Sequence, residues 1–138
     1  VGAQSGLVWD ESFQSNASMS GNQFYLVKLN TSQTGSQHPQ VVLVAAATDP
    51  AIGVLQNKPA AANRGATVRM LGISKAVSDG SGTAINPGDF VGPNASGVCI
   101  KKATPDNYVI GRALMPSTAS GTIIDILLFG PGWFRTAA

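Results

Sequence analysis

Charge is scarce in this 138-residue chain. Asp, Glu, Lys and Arg together make up 12% of it, and nine cations against seven anions leave a net charge of +2. An ordinary soluble domain is about 25% charged. So small an excess argues against a nucleic-acid binder, because neutralising many phosphates requires a clustered basic stripe. Lys101-Lys102 is the only adjacent basic pair and reads as a solvated loop pair. The single cysteine, Cys99, excludes an intramolecular disulfide. The single histidine, His38, sits in a polar loop with no Cys, Asp or Glu at ligand spacing, which leaves no metal site to build. No apolar run reaches the length of a membrane span; the best, "IIDILLFG", is short and interrupted by Asp125. Gly, Ala, Ser and Thr stand where charge would otherwise be, so the surface is weakly protected against association and suits a protein that sits against other proteins.

A chain of this length is read as one domain able to bury its own core. Residues 1–22, "VGAQSGLVWDESFQSNASMSGN", are polar and lack both the helical and the strand period. They read as an extended arm outside the core, carrying one apolar cluster of Leu7, Val8 and Trp9 with Phe13 nearby. The domain proper is expected over 23–130, with 131–138 as a tail. Within it "FYLVKLN" alternates as a strand with one face better buried, and "VVLVAAAT" (41–48) reads as a strand buried on both faces. "ATVRMLGISKAV" (66–77) is a strong strand candidate in which Gly72 marks a bulge or a close backbone approach. "FVG", "GVCIKKA", "YVIGRALM" and "TIIDILLFG" follow as further strands, cut apart by turns such as "SDGSG" and "INPGD". A short helix after Pro59 is the one helical candidate. Many short strands between frequent turns indicate an all-β barrel or sandwich, and the fold expected here is a small barrel of short strands with an extended N-terminal arm. There is also an internal echo. "IGVLQNKP" precedes "GATVRMLG", and "IGRALMP" precedes "GTIIDILLFG", as if two similar hairpin-like halves made up one barrel.

A search for chemistry returns nothing catalytic. Cys99 and His38 would need a coincidence of folding to meet. Ser74 and Lys75 are adjacent in a strand and point to opposite faces. Most of the seven carboxylates lie in turn contexts such as "TDPA", "SDGSG" and "PGDF", where Asp bends the backbone. Asp125 differs, interrupting the most apolar strand; it either faces solvent or meets a cation such as Arg69 or Arg112. No glycine pattern forms a phosphate loop. The expected catalytic, cofactor-binding and metal residues are therefore none, and no cofactor is expected. The aromatics Trp9, Tyr25, Tyr108 and Trp133 keep a stacking platform for sugars in view, although both tryptophans lie in terminal segments.

Residues 41–130 resemble a family of tailed phages, the capsid decoration or cement proteins that share a β-tulip domain. The resemblance is carried by "VVLVAAATDPAIGVLQNKPA", "GATVRMLGISKAV", "TAINPGDFVGPNASGVCIKKA" and "YVIGRALMPSTASGTIIDILLFGPG", in that order. It implies a non-enzymatic protein on the outer capsid surface of the virion, made in the host cytoplasm. Its expected partners are the major capsid protein and itself, as a homotrimer at three-fold or quasi-three-fold positions, with no direct nucleic acid and no membrane. There it braces the expanded shell against the pressure of packaged DNA. The resemblance further implies that terminal segments reach the shell, which makes Leu7, Val8, Trp9, Phe13, Trp133 and Phe134 the candidate capsid or subunit contacts. Deleting residues 1–13 is then expected to leave the barrel folded and to weaken attachment. The rival function is a carbohydrate- or receptor-binding module on the virion surface, which needs an exposed aromatic platform.

Overall fold

A computed structural model describes residues 8–34, 38–104 and 108–131, together with the backbone at 134–135. Leu7 and Trp133 lie outside the described residues, and nothing is described of the Phe134 side chain. The strands are Trp9–Ser15 (β1), Leu26–Leu29 (β2), Gln40–Leu43 (β3), Gly53–Leu55 (β4), Gly65–Asp79 (β5), Phe90–Pro93 (β6), Cys99–Lys101 (β7), Tyr108–Val109 (β8), Gly111–Ala113 (β9), Ser120–Phe129 (β10) and Phe134–Arg135 (β11). Among the described residues there is no helix, and so none long and apolar enough to cross a membrane. The segment after Pro59 is a bend and turn in which Asn63 takes a positive φ of 61° and donates its N–H to Ser15 O at 2.7 Å.

Nine strands form one sheet in the order β1-β3-β2-β4-β5-β10-β9-β6-β7, with β1 also paired to β5 and β5 also paired to β7. The first extra pairing closes β1, β3, β2, β4 and β5 into a five-stranded barrel. The second, through the single pair Ser78–Cys99, closes β5, β10, β9, β6 and β7 into a further ring. At 15 residues, β5 is long enough to serve both: β1 and β4 flank its first half, and β10 runs along its second.

These two circuits are one topology used twice. In each, the leading strand pairs in parallel with a strand of the following hairpin (β1 with β3, β5 with β7), and every other contact is antiparallel. The registers agree residue by residue. Ser15 opposes Val41 as Ser78 opposes Cys99, Val27 opposes Gly53 as Val91 opposes Gly111, and Phe13 opposes Ala66 as Ala76 opposes Ile124. From Val41 to Gly72 the equivalence runs at a constant spacing of 58 residues, setting Asn63 (φ 61°) on Gly121 (φ 82°) and Gly72 (φ 97°) on Gly130 (φ 111°). The same spacing sets Gly53 on Gly111. A Cβ on Gly53 would collide with the Arg69 carbonyl oxygen, and one on Gly111 with that of Leu127, sixteen residues along the chain in both cases. The two Ile-Gly dipeptides of the sequence echo are thus the same backbone crossing made in each ring.

Each circuit has its own apolar centre. Met19, Val27, Val41, Leu55, Ala66, Val68 and Met70 fill the first barrel, with Phe13, Leu43 and Ile52 packed against them. A larger cluster, including Ala76, Ile85, Val91, Cys99, Ile110, Ile124, Ile126 and Leu128, fills the second. Leu26 and Val54 belong to this second cluster, although their chain neighbours Val27 and Leu55 belong to the first. The β2–β4 wall is therefore covered on both faces, where alternation had indicated one.

Other expectations are revised by the same packing. The run at 41–48 ends as a strand at Leu43; beyond it Asp49 accepts the N–H groups of Ala45 and Ala46 and turns the chain. Lys102 is not a solvated loop residue. Only 5% exposed, it occupies the place that Val44 takes in the first unit, with its stem over Gly92 and Nζ 3.4 Å from Ala47 O. The segment expected as an arm is extended, but β1 is hydrogen-bonded into the first barrel on both sides, and Met19 lies in the core.

Candidate interaction surface

Strand alternation sends every second residue of β5, β10 and β9 away from the cores. On β10 these are Ile123, Asp125, Leu127 and Phe129, opposite Val77, Lys75, Ile73 and Leu71 of β5. On β9, Arg112 lies opposite Leu127 on one side and Phe90 of β6 on the other. The pairing so lays out one continuous outer face. Ile73, Ile123, Leu127 and Phe90 are exposed on it, with Leu114 beyond the end of β9. A run of exposed apolar side chains on one sheet face marks an interaction site, whereas scattered ones carry no such meaning.

The polar groups of the face are few and already engaged. Asp125 meets Lys75 across the strands at 3.7 Å, so its cation is neither Arg69 nor Arg112. The Arg112 guanidinium lies 4.6 Å from the centroid of the Phe90 ring, and Phe90 in turn packs edge-on against Phe129 with centroids 6.1 Å apart. Arg69 is bound instead by Asp10 of β1. At the corner where β1 meets this face, Trp9 lies opposite Leu71, and Val8 and Trp9 are both exposed. Trp9 donates its ring N–H to Glu11 at 2.9 Å.

Of the six contact candidates read from the sequence, the structure exposes Val8 and Trp9 and packs Phe13 against the first core. Leu7, Trp133 and the Phe134 side chain lie outside the described residues. The larger face was missed, because Ile73, Ile123 and Leu127 sit in strands whose apolar runs look like core. The signal that could have found it was Asp125 together with Lys75: two charges in consecutive long strands mark the side that does not enter the core.

Nothing on this face or elsewhere assembles a reaction centre among the described residues. Among the described residues, no group of three His, Cys, Asp or Glu side chains could hold a metal ion. Cys99 is fully buried, and burial pushes its thiol up to about 12, so at neutral pH it is not a thiolate. Ser74 donates to its neighbour's carbonyl, Lys75 O, at 2.8 Å and accepts from Gln56, which makes it a packing hydroxyl. Tyr25 and Tyr108 are half-buried, leaving Trp9 and Phe90 as the exposed aromatics among the described residues.

Comparison with known proteins places this architecture. The family of phage cement proteins matches residues 19–128. Among solved structures, the head fiber gp8.5 N base of bacteriophage phi29 has a similar fold, with a TM-score of 0.63 at 14% identity over 94% of this chain and 100% of that one. No curated protein sequence gave a match.

Proposed function

The chain belongs to the phage cement protein family, and from that premise we propose that it binds the outer surface of an expanded phage head as trimers and braces the shell against the pressure of packaged DNA. Membership makes it a structural protein of the capsid surface. The finer reading rests on the outer face of β5, β10 and β9, where Ile73, Ile123 and Leu127 are held exposed by a sheet that is closed on itself. These exposed side chains give the face an apolar contact surface. Val8 and Trp9, standing out at one corner, are the residues we assign to the shell contact, with the major capsid protein as the partner. Many copies on one shell act together, so a modest contact per copy suffices.

The test is co-sedimentation with undecorated, expanded shells of the same virus. Saturable binding at a fixed ratio to capsid subunits, with shells that withstand higher temperature, is the expected result. Failure to bind intact expanded shells would overturn the reading. Trp9→Ala should weaken binding while leaving the thermal midpoint within about 2 °C, since an exposed side chain contributes little to folding.

A further inference from the structure

One row of side chains runs straight across the outer face. Ile73 of β5 opposes Leu127 of β10, Leu127 opposes Arg112 of β9, and Arg112 opposes Phe90 of β6. Neighbouring strands lie about 4.8 Å apart, so the row is about 14 Å long. All four members are exposed, and the one charged group stands inside the row, between Leu127 and Phe90.

Nothing described in the chain neutralises that charge. Among the described residues Arg112 has no carboxylate at ion-pair distance and its side chain donates no hydrogen bond; the guanidinium lies on the Phe90 ring, 4.6 Å from the centroid. Arg69 of β5 is the contrast, giving two N–H groups to the Asp10 carboxylate and a third to Ile73 O. A guanidinium laid on an aromatic ring keeps its N–H edges free and in a fixed plane, the arrangement that suits a carboxylate taken bidentately.

Whatever covers the apolar row also takes Arg112 out of water. An ion covered without a partner is strongly destabilising, so a neutral or basic partner is rejected and one with a matching anion is accepted. The chain itself has no such anion to spare. Each described carboxylate already has a cation or a donor beside it: Asp10 has Arg69, Asp49 Lys28, Asp89 Lys101, Asp125 Lys75, Asp79 Ser81 and Glu11 Trp9. We infer that the row docks a different protein, one that sets an aspartate or glutamate side chain among apolar neighbours, and that Arg112 selects it. The inference rests on the head-surface reading for the source of that partner, the major capsid protein of the shell. The row is continuous with the corner assigned to the shell contact, since Trp9 pairs with Leu71, two residues along β5 from Ile73.

The experiment uses the full chain and undecorated, expanded shells. Arg112→Leu completes the row as an apolar strip. If apolar contact alone held the face, this variant would bind as well as the parent or more tightly. With a carboxylate opposite, it should bind about thirtyfold or more weakly, because the partner's charge is left buried and unpaired. Its circular dichroism and thermal midpoint should stay those of the parent. Arg112→Lys keeps the charge and supplies an amine. Treated on the shell with a water-soluble carbodiimide, that amine should form an amide with the facing carboxylate, read by mass spectrometry as a link from position 112 to an Asp or Glu of the capsid protein. Undiminished binding of Arg112→Leu would overturn the inference, as would a position-112 link found only between copies of the chain or absent from shell-bound protein. A parent chain that binds no shells is a different failure, removing the head-surface reading and this partner with it.

Discussion

Asp10 and Arg69 face each other across the β1–β5 ladder and are joined by two hydrogen bonds, from Nε at 2.8 Å and from Nη2 at 3.0 Å. The remaining end nitrogen, Nη1, donates to Ile73 O at 3.0 Å, next to the kink at Gly72. One guanidinium therefore ties the first strand of the chain to the point where β5 passes from one ring to the next. The Arg69 side chain is held more firmly protonated by Asp10, which outweighs its partial burial. Asp10→Asn keeps the shape and removes the charge. Both side chains are partly exposed, so the loss should be modest, about 0.5–1 kcal/mol, and smaller in high salt. Thermal unfolding with and without added salt measures it.

Removing the leading strand is a harsher change. β1 pairs with β5 from Trp9 to Gln14 and with β3 at Gln14 and Ser15, while Phe13 covers the first core. Deletion through Ser15 opens the first barrel along both edges. It should cost at least about 3 kcal/mol, the scale of losing core contacts together with buried hydrogen bonds. Urea unfolding reads this directly. A truncated protein as stable as the parent would show that β1 is an appendage, as the sequence had indicated. In either case attachment to shells is better tested with Trp9→Ala, which leaves the barrel closed.

The two Ile-Gly crossings should respond alike. Gly53→Ala and Gly111→Ala each force a methyl group into a backbone carbonyl that a strand partner holds in place. Both should lose about 2–4 kcal/mol. Gly82→Ala meets nothing within 4 Å and serves as the control, with an expected change within about 0.5 kcal/mol. If only one of the two crossings proved sensitive, the structural equivalence of the two units would not extend to their energetics.

Stability should also fall in acid, for a reason traceable to two aspartates. Burial alone would push the Asp49 carboxyl up, but Lys28 at 2.7 Å and the N–H groups of Ala45 and Ala46 outweigh it and hold the carboxyl below its ordinary 3.8. The N–H of Asn86 does the same for Asp89, against partial burial and with help from Lys101 at 3.1 Å. A carboxyl depressed in the folded state contributes fully above the unfolded value near 3.8 and ceases to contribute as pH falls through the folded value. The urea midpoint should therefore be flat above about pH 5 and drop below pH 4. Asp49→Asn and Asp89→Asn should each lower the midpoint at neutral pH and flatten that acid limb.

The all-β class was legible from composition and turns alone, as were β5 with its irregularity at Gly72, β10, and the aspartate-bent turns. The Ile-Gly echo was legible too, and it pointed to two similar halves. Its full extent was hidden, because between the units only the residues that the backbone demands stay alike: Gly53 with Gly111, Gly72 with Gly130, and Asn63 with Gly121, where asparagine is a common non-glycine occupant of positive φ. Core positions in the ladder need mainly volume, so Val41 becomes Cys99 without disturbing it, while Lys102 can stand where Val44 does because its amino group reaches Ala47 O. The membership of β1 in the sheet could not be read either. Its pairing with β3 and β5 joins segments far apart in the chain, and its side chains are largely exposed, so hydrophobic periodicity carries no trace of it. The outer face of β5 and β10 hid for the opposite reason, since these strands are apolar on both sides and only Asp125 and Lys75 mark the side that is out.

Sharing β5 has a mechanical consequence for a protein of the head surface. Two barrels joined by a linker would separate like beads, the tether extending before either bead deforms. Here the joint is a strand whose backbone is hydrogen-bonded along nearly its whole length, to β1 and β4 at one end and to β10 at the other. Tension along that strand loads its ladders in shear, many hydrogen bonds at once, and the chain has no slack to give up first. The molecule therefore transmits a pull from one barrel to the other as a rigid strut, and it yields only when a barrel opens.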